Sequence, residues 1–273
     1  MHIIWQNKIS YTRRGQGFPL VILHAMGTDH RAMMAWMEPL FEAGSNWERI
    51  YIDLPAHGHS LVQPWMKTSA DILSVILDFL DDLIPNRQFA LVGKSFGGYI
   101  AQGILAKKQE YLDGLFLLTP ALHIKERSLP PRFTGERDEE LLAELDPDIR
   151  GAFETLVYTQ TEGNLHRFLE EVQPGRLLAD RPFLTSEWRT KGYFFPADPL
   201  SDQQTFTAPT LFLLGRQDFV CGYQDHWTLL ERFPHAAFTV LDGVGHLAEL
   251  EKREVVQTLC KEWLGRVDKT KSL

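Results

Sequence analysis

Three residues far apart in the chain, Ser95, Asp218 and His246, have the types and the surroundings for nucleophilic catalysis. A serine hydroxyl is a poor nucleophile near neutral pH. It needs a base to take its proton, and the base needs an acid to hold its tautomer. Ser95 sits in Gly93-Lys94-Ser95-Phe96-Gly97, directly after the apolar run FALV and directly before a stretch of helical period. That is the context of a nucleophile elbow, a strand-to-helix reversal so sharp that side chains at the flanking positions would collide. The bare Gly-x-Ser-x-Gly pattern would arise by chance in roughly one chain in ten of this size, so its place between strand and helix is what gives it meaning. A helix starting there aims free N–H groups and a positive dipole end at any anion forming near Ser95. Reading Gly93-Lys94-Ser95 as a P-loop fails, because Gln88 stands where that motif needs glycine. Lys94 is then expected to be a solvated elbow residue.

Asp218 follows the apolar run LFLLG, and His246 lies in GVGH after TVL, each just past the C-terminal end of an expected strand. Open α/β sheets place their sites there. Asp242 is a weaker candidate for the acid, since four residues from His246 is too close along one turn. The ordinary structural role is expected for His2, His30, His123, His166, His226 and His235. His57 and His59 with Asp53 suggest a metal site on paper, but zinc needs three or four converging ligands and this chemistry needs none, so neither metal nor cofactor is expected.

The elements that must position these residues follow from hydrophobic period. From Leu20 to Ile124, short apolar runs (LVILH, RIYIDL, FALVG, LFLLT) alternate with stretches of helical period, and APTLFLLG and AFTVLDG resume the pattern later. Continuous apolar runs are strands buried on both faces, and right-handed crossovers wind helices around the sheet. The fold expected is α/β, a doubly wound, mostly parallel eight-stranded sheet. The opening residues, with a polar turn at Gly15-Gln16-Gly17, suggest an antiparallel edge hairpin, and helices are expected near Gln224 to Phe233 and from about Glu249 to Arg266. Residues 122–205 lack a convincing strand and carry seven of the fifteen prolines. They are expected to form an inserted helical cap, leaving 1–121 and 206–273 as the core domain; a long excursion of this kind more often supplies a lid than an idle loop. The cap aromatics Phe153, Tyr158, Phe168, Phe183, Trp188, Tyr193, Phe194 and Phe195 suffice to roof an apolar pocket, although most are expected in ordinary core. Arg132, Arg167 and Arg181 are expected on solvated surface rather than on a substrate carboxylate.

With these motifs the chain resembles the α/β-hydrolase superfamily, in its small soluble branch with a helical cap. The order Ser95, Asp218, His246 is that of the family. His24-Ala25-Met26-Gly27 resembles its His-Gly-x-Gly segment, and Asp53-Leu54-Pro55-Ala56-His57-Gly58-His59-Ser60 its Asp-x-Pro-Gly-x-Gly-x-Ser turn, each with alanine where glycine is common. The resemblance implies an oxyanion hole from the backbone N–H groups of Met26 and Phe96. Ala25 bears on how easily that loop takes up its backbone angles, because alanine resists positive φ. His24 is expected to stabilise the loop, and Met26 to wall the acyl pocket. The resemblance further implies hydrolysis of a small ester, thioester or lactone with an apolar acyl part, through an acyl-enzyme on Ser95. Relatives that open epoxides or remove halides carry aspartate at the elbow, so Ser95 argues against both. Two alternatives stay open: a carbon–carbon hydrolase of vinylogous diketones with the same triad, and a ligand-sensing receptor with little turnover.

Composition bounds the rest. The chain has 273 residues, 44% hydrophobic and 23% charged, enough to bury a core without disulfides or metals. A formal charge of −8 has the wrong sign for nucleic acid. Two distant cysteines, Cys221 and Cys260, are expected as reduced thiols; with no basic, apolar leader and no run long enough to span a bilayer, a cytoplasmic setting is expected. Residues Val267 to Leu273 are expected to fray as a solvated tail. The oligomeric state is not legible in the sequence.

Overall fold

The continuous apolar runs become strands, buried nearly throughout except the last, Ala236–Leu241, which is half-buried at every position. The computed structural model describes residues 2–132, 135–201 and 204–270. Eight strands form one sheet in the order β1 (Ile3–Trp5), β2 (Ile9–Arg14), β4 (Trp47–Ile52), β3 (Phe18–Leu23), β5 (Phe89–Lys94), β6 (Leu112–Leu118), β7 (Thr210–Gly215), β8 (Ala236–Leu241). The pairs β1–β2 and β2–β4 are antiparallel, and from β4 through β8 every pair is parallel. The doubly wound, mostly parallel eight-stranded sheet is therefore as expected.

Alternation along the strands divides the core into two layers. Val21, Ile50, Leu91 and Leu117 pack with Phe79, Ile100 and Ile104 of helices α2 (Ser69–Leu83) and α3 (Phe96–Lys108). On the opposite face Leu20, Ile22, Ala90, Val92 and Phe116 pack with Trp36 of α1 (His30–Met37) and with Cys260 and Trp263 near the C-terminus. Helix α2 is held at its start by a capping box, in which the Thr68 hydroxyl accepts from Asp71 N and the Asp71 carboxylate accepts from Thr68 N.

Two local expectations are corrected. The opening hairpin exists, but it turns at Gln6-Asn7, both at positive φ, and not at Gly15-Gln16-Gly17. Those glycines lead from β2 into β3, two strands that cannot pair because β4 lies between them. At Gly17 (φ 117°) a side chain would also run into the Asn46 backbone. The C-terminal helix does not fray at Val267: it continues to Thr270, with Val267 fully buried over Gly114. Residues 271–273 lie outside the described residues. The helix expected over Gln224 to Phe233 is a 3-10 helix, Gln224–Arg232.

Between β6 and β7 the described residues hold five short α-helices, α4 (Glu139–Ala143), α5 (Pro147–Leu156), α6 (Glu162–Arg167), α7 (Gln173–Leu178) and α8 (Arg181–Leu184), with two π-helical turns, Phe168–Val172 and Trp188–Gly192, and no strand. Leu142, Phe153, Val157, Leu165, Phe168 and Val172 form a small core of their own that also takes in Leu247 and Leu250. Leu247 immediately precedes α9 (Ala248–Glu251) and Leu250 lies within it, ahead of α10 (Arg253–Thr270). The inserted helices thus rest directly on the segment that carries His246.

Candidate active site

Strand β5 ends at Lys94, α3 begins at Phe96, and the single residue between them must reverse the chain. Ser95 does so at φ 51° and ψ −115°, a conformation costly for a residue with a side chain and held here by its neighbours. Its N–H donates to Leu118 O (3.0 Å), and its carbonyl accepts from Tyr99 N and Ala121 N. The two elbow glycines leave no room for a side chain. A Cβ at Gly93 would lie 2.6 Å from Gly97 O, and one at Gly97 would lie 2.4 Å from His24 O. Backbone contact at Gly97 is what sets the loop after β3 against the start of α3.

The structure brings together the three residues singled out in the sequence. His246 Nε2 lies 2.8 Å from Ser95 Oγ, and His246 Nδ1 lies 2.9 Å from Asp218 Oδ2. A carboxylate only accepts, so Nδ1 carries the ring proton and Nε2 is left to accept from the serine hydroxyl. Burial by itself would raise the Asp218 pKa, but the charge and hydrogen bond of His246 and two backbone N–H groups, from Cys221 and Val220, hold it below the usual carboxylate value. Asp218 is therefore ionised and fixed. Asp242 instead accepts from Gln217 Nε2 (2.8 Å) and plays no part in orienting His246.

The N–H groups of Met26 and Phe96 meet no acceptor among the described residues. Phe96 opens a helix, where the first donors have no intrahelical partner. Ala25 is spared positive φ, since the left-handed step falls on Gly27 (φ 72°). In the neighbouring turn it is Ala56 that takes φ 72°. His24 holds this loop as expected: its Nδ1 donates to Ala25 O (2.7 Å) and its Nε2 accepts from Leu54 N (3.0 Å). Asp53 accepts from His30 Nδ1 and from the His30 and His59 backbones, while His57 turns to Pro55 O, so the paper metal trio does not converge. Burial lowers the His57 pKa to about 3, which keeps that ring neutral.

A cavity of about 200 Å³ opens beside Ser95, walled by Met26, Ala121, Leu156, Val220 and Leu247 and reached also by Cys221, Tyr193, Arg127 and Arg189. Of the eight cap aromatics considered from sequence, Tyr193 lines it. Phe153 and Phe168 fill the cap's own core, and Phe195 stacks on Tyr99. Burial pushes the Cys221 thiol up to about 12, so it is a neutral wall and no rival nucleophile.

Lys94 corrects the sequence reading. It is 3% exposed, ion-paired with the buried Glu249, and donates to His246 O (3.2 Å). Thr119 Oγ1 donates to the same carbonyl. Glu251, which the sequence did not mark, receives N–H bonds from Tyr158 (2.9 Å), Thr159 (2.8 Å) and Gly245 (2.7 Å). His246 N and Leu247 N donate to Leu156 O, at the end of α5. The loop bearing His246 is thus tied on one side to the elbow and on the other to the inserted helices. No spacing rule in the sequence announces such ties.

Comparison with known proteins identifies the family. A family model, the alpha/beta hydrolase family, matches residues 20–258. A pimeloyl-[acyl-carrier protein] methyl ester esterase of Legionella pneumophila (strain Paris) is 22% identical over 267 residues, covering 94% of this chain and 99% of its own. An (E)-2-((N-methylformamido)methylene)succinate hydrolase of Acinetobacter baylyi is 24% identical, with 93% of each chain covered. Among solved structures, an alpha/beta superfamily hydrolase from Oenococcus oeni PSU-1 superposes with a TM-score of 0.84 at 26% identity, covering 98% of this chain and 99% of that one.

Proposed function

Because the chain belongs to the alpha/beta hydrolase family, and is a hydrolase, we propose that it cleaves a small carboxylic ester, thioester or lactone through an acyl-enzyme on Ser95. The observation that carries this reading is the relay from Ser95 Oγ to His246 Nε2 and from His246 Nδ1 to Asp218. His246 takes the serine proton as Oγ attacks the carbonyl carbon, and Asp218 stabilises the imidazolium that results. The negative charge that develops on the carbonyl oxygen is met by the N–H groups of Met26 and Phe96; in other enzymes, loss of one such donor costs on the order of 100- to 1000-fold in rate. His246 returns its proton to the leaving alcohol, then draws one from a water that releases the acid.

The esterase named among the relatives supports the ester bond as the target. The apolar wall of Met26, Ala121, Leu156, Val220 and Leu247 in a cavity of about 200 Å³ supports a short apolar acyl part. The inserted helices act as a lid that closes this cavity from above.

The test is hydrolysis of nitrophenyl esters from acetate to dodecanoate by the wild type and by Ser95→Ala. Turnover is expected to peak among the short acyl chains and to fall by about a million-fold in the variant, the scale seen when a triad member is lost. A folded wild type no faster than Ser95→Ala across the series refutes the ester reading, and vinylogous diketones become the substrates to try.

A further inference from the structure

Two guanidinium groups reach the same cavity as the nucleophile, and neither is neutralised. Arg127 donates from Nη1 to Val220 O (2.8 Å), touches Cys221 Sγ at 4.0 Å and meets the Tyr193 hydroxyl. Arg189 lies over the face of the Tyr193 ring, 4.9 Å from its centre. Among the described residues neither makes an ion pair with a carboxylate, whereas Arg137, Arg150, Arg176 and Arg181 of the inserted helices all do. These are also not the arginines weighed from sequence. Arg132 sits over Phe219, Arg167 donates to Leu250 O, and Arg181 pairs with Asp148.

We propose that Arg127 and Arg189 form a carboxylate subsite, so that the substrate is an ester bearing a carboxylate a few atoms from the bond that is cut. This rests on the hydrolase reading above and deepens it. Arg127 is half-buried and its contacts to Val220 O, Cys221 Sγ and Tyr193 hold it in place. Those three contacts leave part of its five-donor fork free, and a planar fork matches a carboxylate with two parallel bonds. Arg189 is exposed, so it meets the anion at the cavity mouth. Ser95, Cys221 and Arg127 line the same cavity, and the Cys221 thiol touches the guanidinium at 4.0 Å. A cavity of about 200 Å³ shared by Ser95 and both guanidinium groups has room for a short dicarboxylic half-ester rather than a fatty acyl chain. The apolar wall then flanks the methylenes, and Tyr193, lying between the two cations, keeps them apart while leaving the anion a place to bridge them.

The experiment compares kcat/KM for nitrophenyl hydrogen glutarate with that for nitrophenyl pentanoate, which has the same acyl length without the charge. Both are measured in the wild type, Arg127→Gln, Arg189→Gln and the double variant. The neutral ester is the internal reference, so a general loss of folding or of turnover cancels in the ratio. The wild type is expected to favour the anionic ester, with the ratio falling about tenfold in each single variant and about a hundredfold in the double. Carboxynitrophenyl pentanoate, with the charge on the leaving side, is run in parallel; an arginine-dependent preference for it instead supports the subsite and assigns it to the alcohol half. Ratios for both anionic esters that are unchanged in the double variant overturn the proposal. If no ester is turned over faster than by Ser95→Ala, the hydrolase assignment to Ser95 fails, and calorimetric titration of glutarate decides the subsite separately. Binding to the wild type that is lost in the double variant upholds the subsite; no binding, or equal binding, overturns it.

Discussion

Replacing Glu251 by glutamine tests whether the carboxylate between the inserted helices and the His246 loop is the costly group its surroundings imply. Burial pushes this carboxyl up from 4.5 to about 7; the N–H bonds from Thr159, Gly245 and Tyr158 pull it back only in part, and the charge of Glu249 adds to the rise. The unfolded chain releases this proton near the ordinary value, so between the two the folded protein holds more protons than the unfolded one. Stability contributed by this group is therefore greatest below about pH 4.5 and is lost as pH rises toward and past 7. At 1.36 kcal/mol per unit of difference, the loss is on the order of 3 kcal/mol. Glu251→Gln keeps the size and one accepting oxygen for Tyr158 and Thr159 but has no proton to release. Urea unfolding of both proteins at steps from pH 5 to pH 8 gives the difference in stability, in which every other titrating group cancels. The wild type is expected to lose about 2.5 kcal/mol relative to the variant between pH 5 and pH 8. A difference that stays flat, or that moves in favour of the wild type as pH rises, refutes the claim that Glu251 is ionised at a cost in the fold.

Lys94→Met leaves Glu249 buried beneath His246 without its cation and is expected to cost about 3 to 5 kcal/mol in urea unfolding. Most of that should return in Lys94→Met combined with Glu249→Leu, because removing both charges leaves none unpaired; a single variant within 1 kcal/mol of the wild type would contradict the pairing. Ala56→Gly relieves a left-handed backbone that costs an L-residue about 1 kcal/mol, less what glycine gives up in unfolded-state entropy. A gain of a few tenths to 1 kcal/mol is expected, read as a higher urea midpoint at unchanged slope.

Much of the candidate site was legible because the nucleophilic catalysis proposed for it demands particular residue types at particular points of a strand-and-helix pattern. The elbow around Ser95 is a local motif, and the apolar run before it and the helical period after it are local too. Asp218 and His246 could be placed because each follows a strand at the sheet's C-terminal edge, which makes their convergence a consequence of parallel topology. Where a residue's surroundings come from elsewhere in the chain, inference from sequence went astray. Lys94 looked solvated because nothing near it in sequence is acidic, yet Glu249, 155 residues away, meets it in the interior. The hairpin turns at Gln6-Asn7 and not at the glycines, because glycines announce a reversal without saying which strands will lie side by side. Val267 looked like part of a polar tail, and only the empty space over Gly114 makes it core.

The sequence by itself determined the α/β class and the mostly parallel sheet of eight strands, and it marked the helical stretch between β6 and β7 and the three residues that the fold brings together. Period, turn chemistry and the order of motifs are properties of a chain read in one dimension. Tertiary structure alone decided which groups fill the cavity and what holds the His246 loop. Arg127, Arg189 and Glu251 carry no signature in their neighbours along the chain. Arg189 and Glu251 act through contacts with residues of the inserted helices, which pack on the core by shape and apolar burial; such packing follows no spacing rule and becomes visible only once both surfaces have formed.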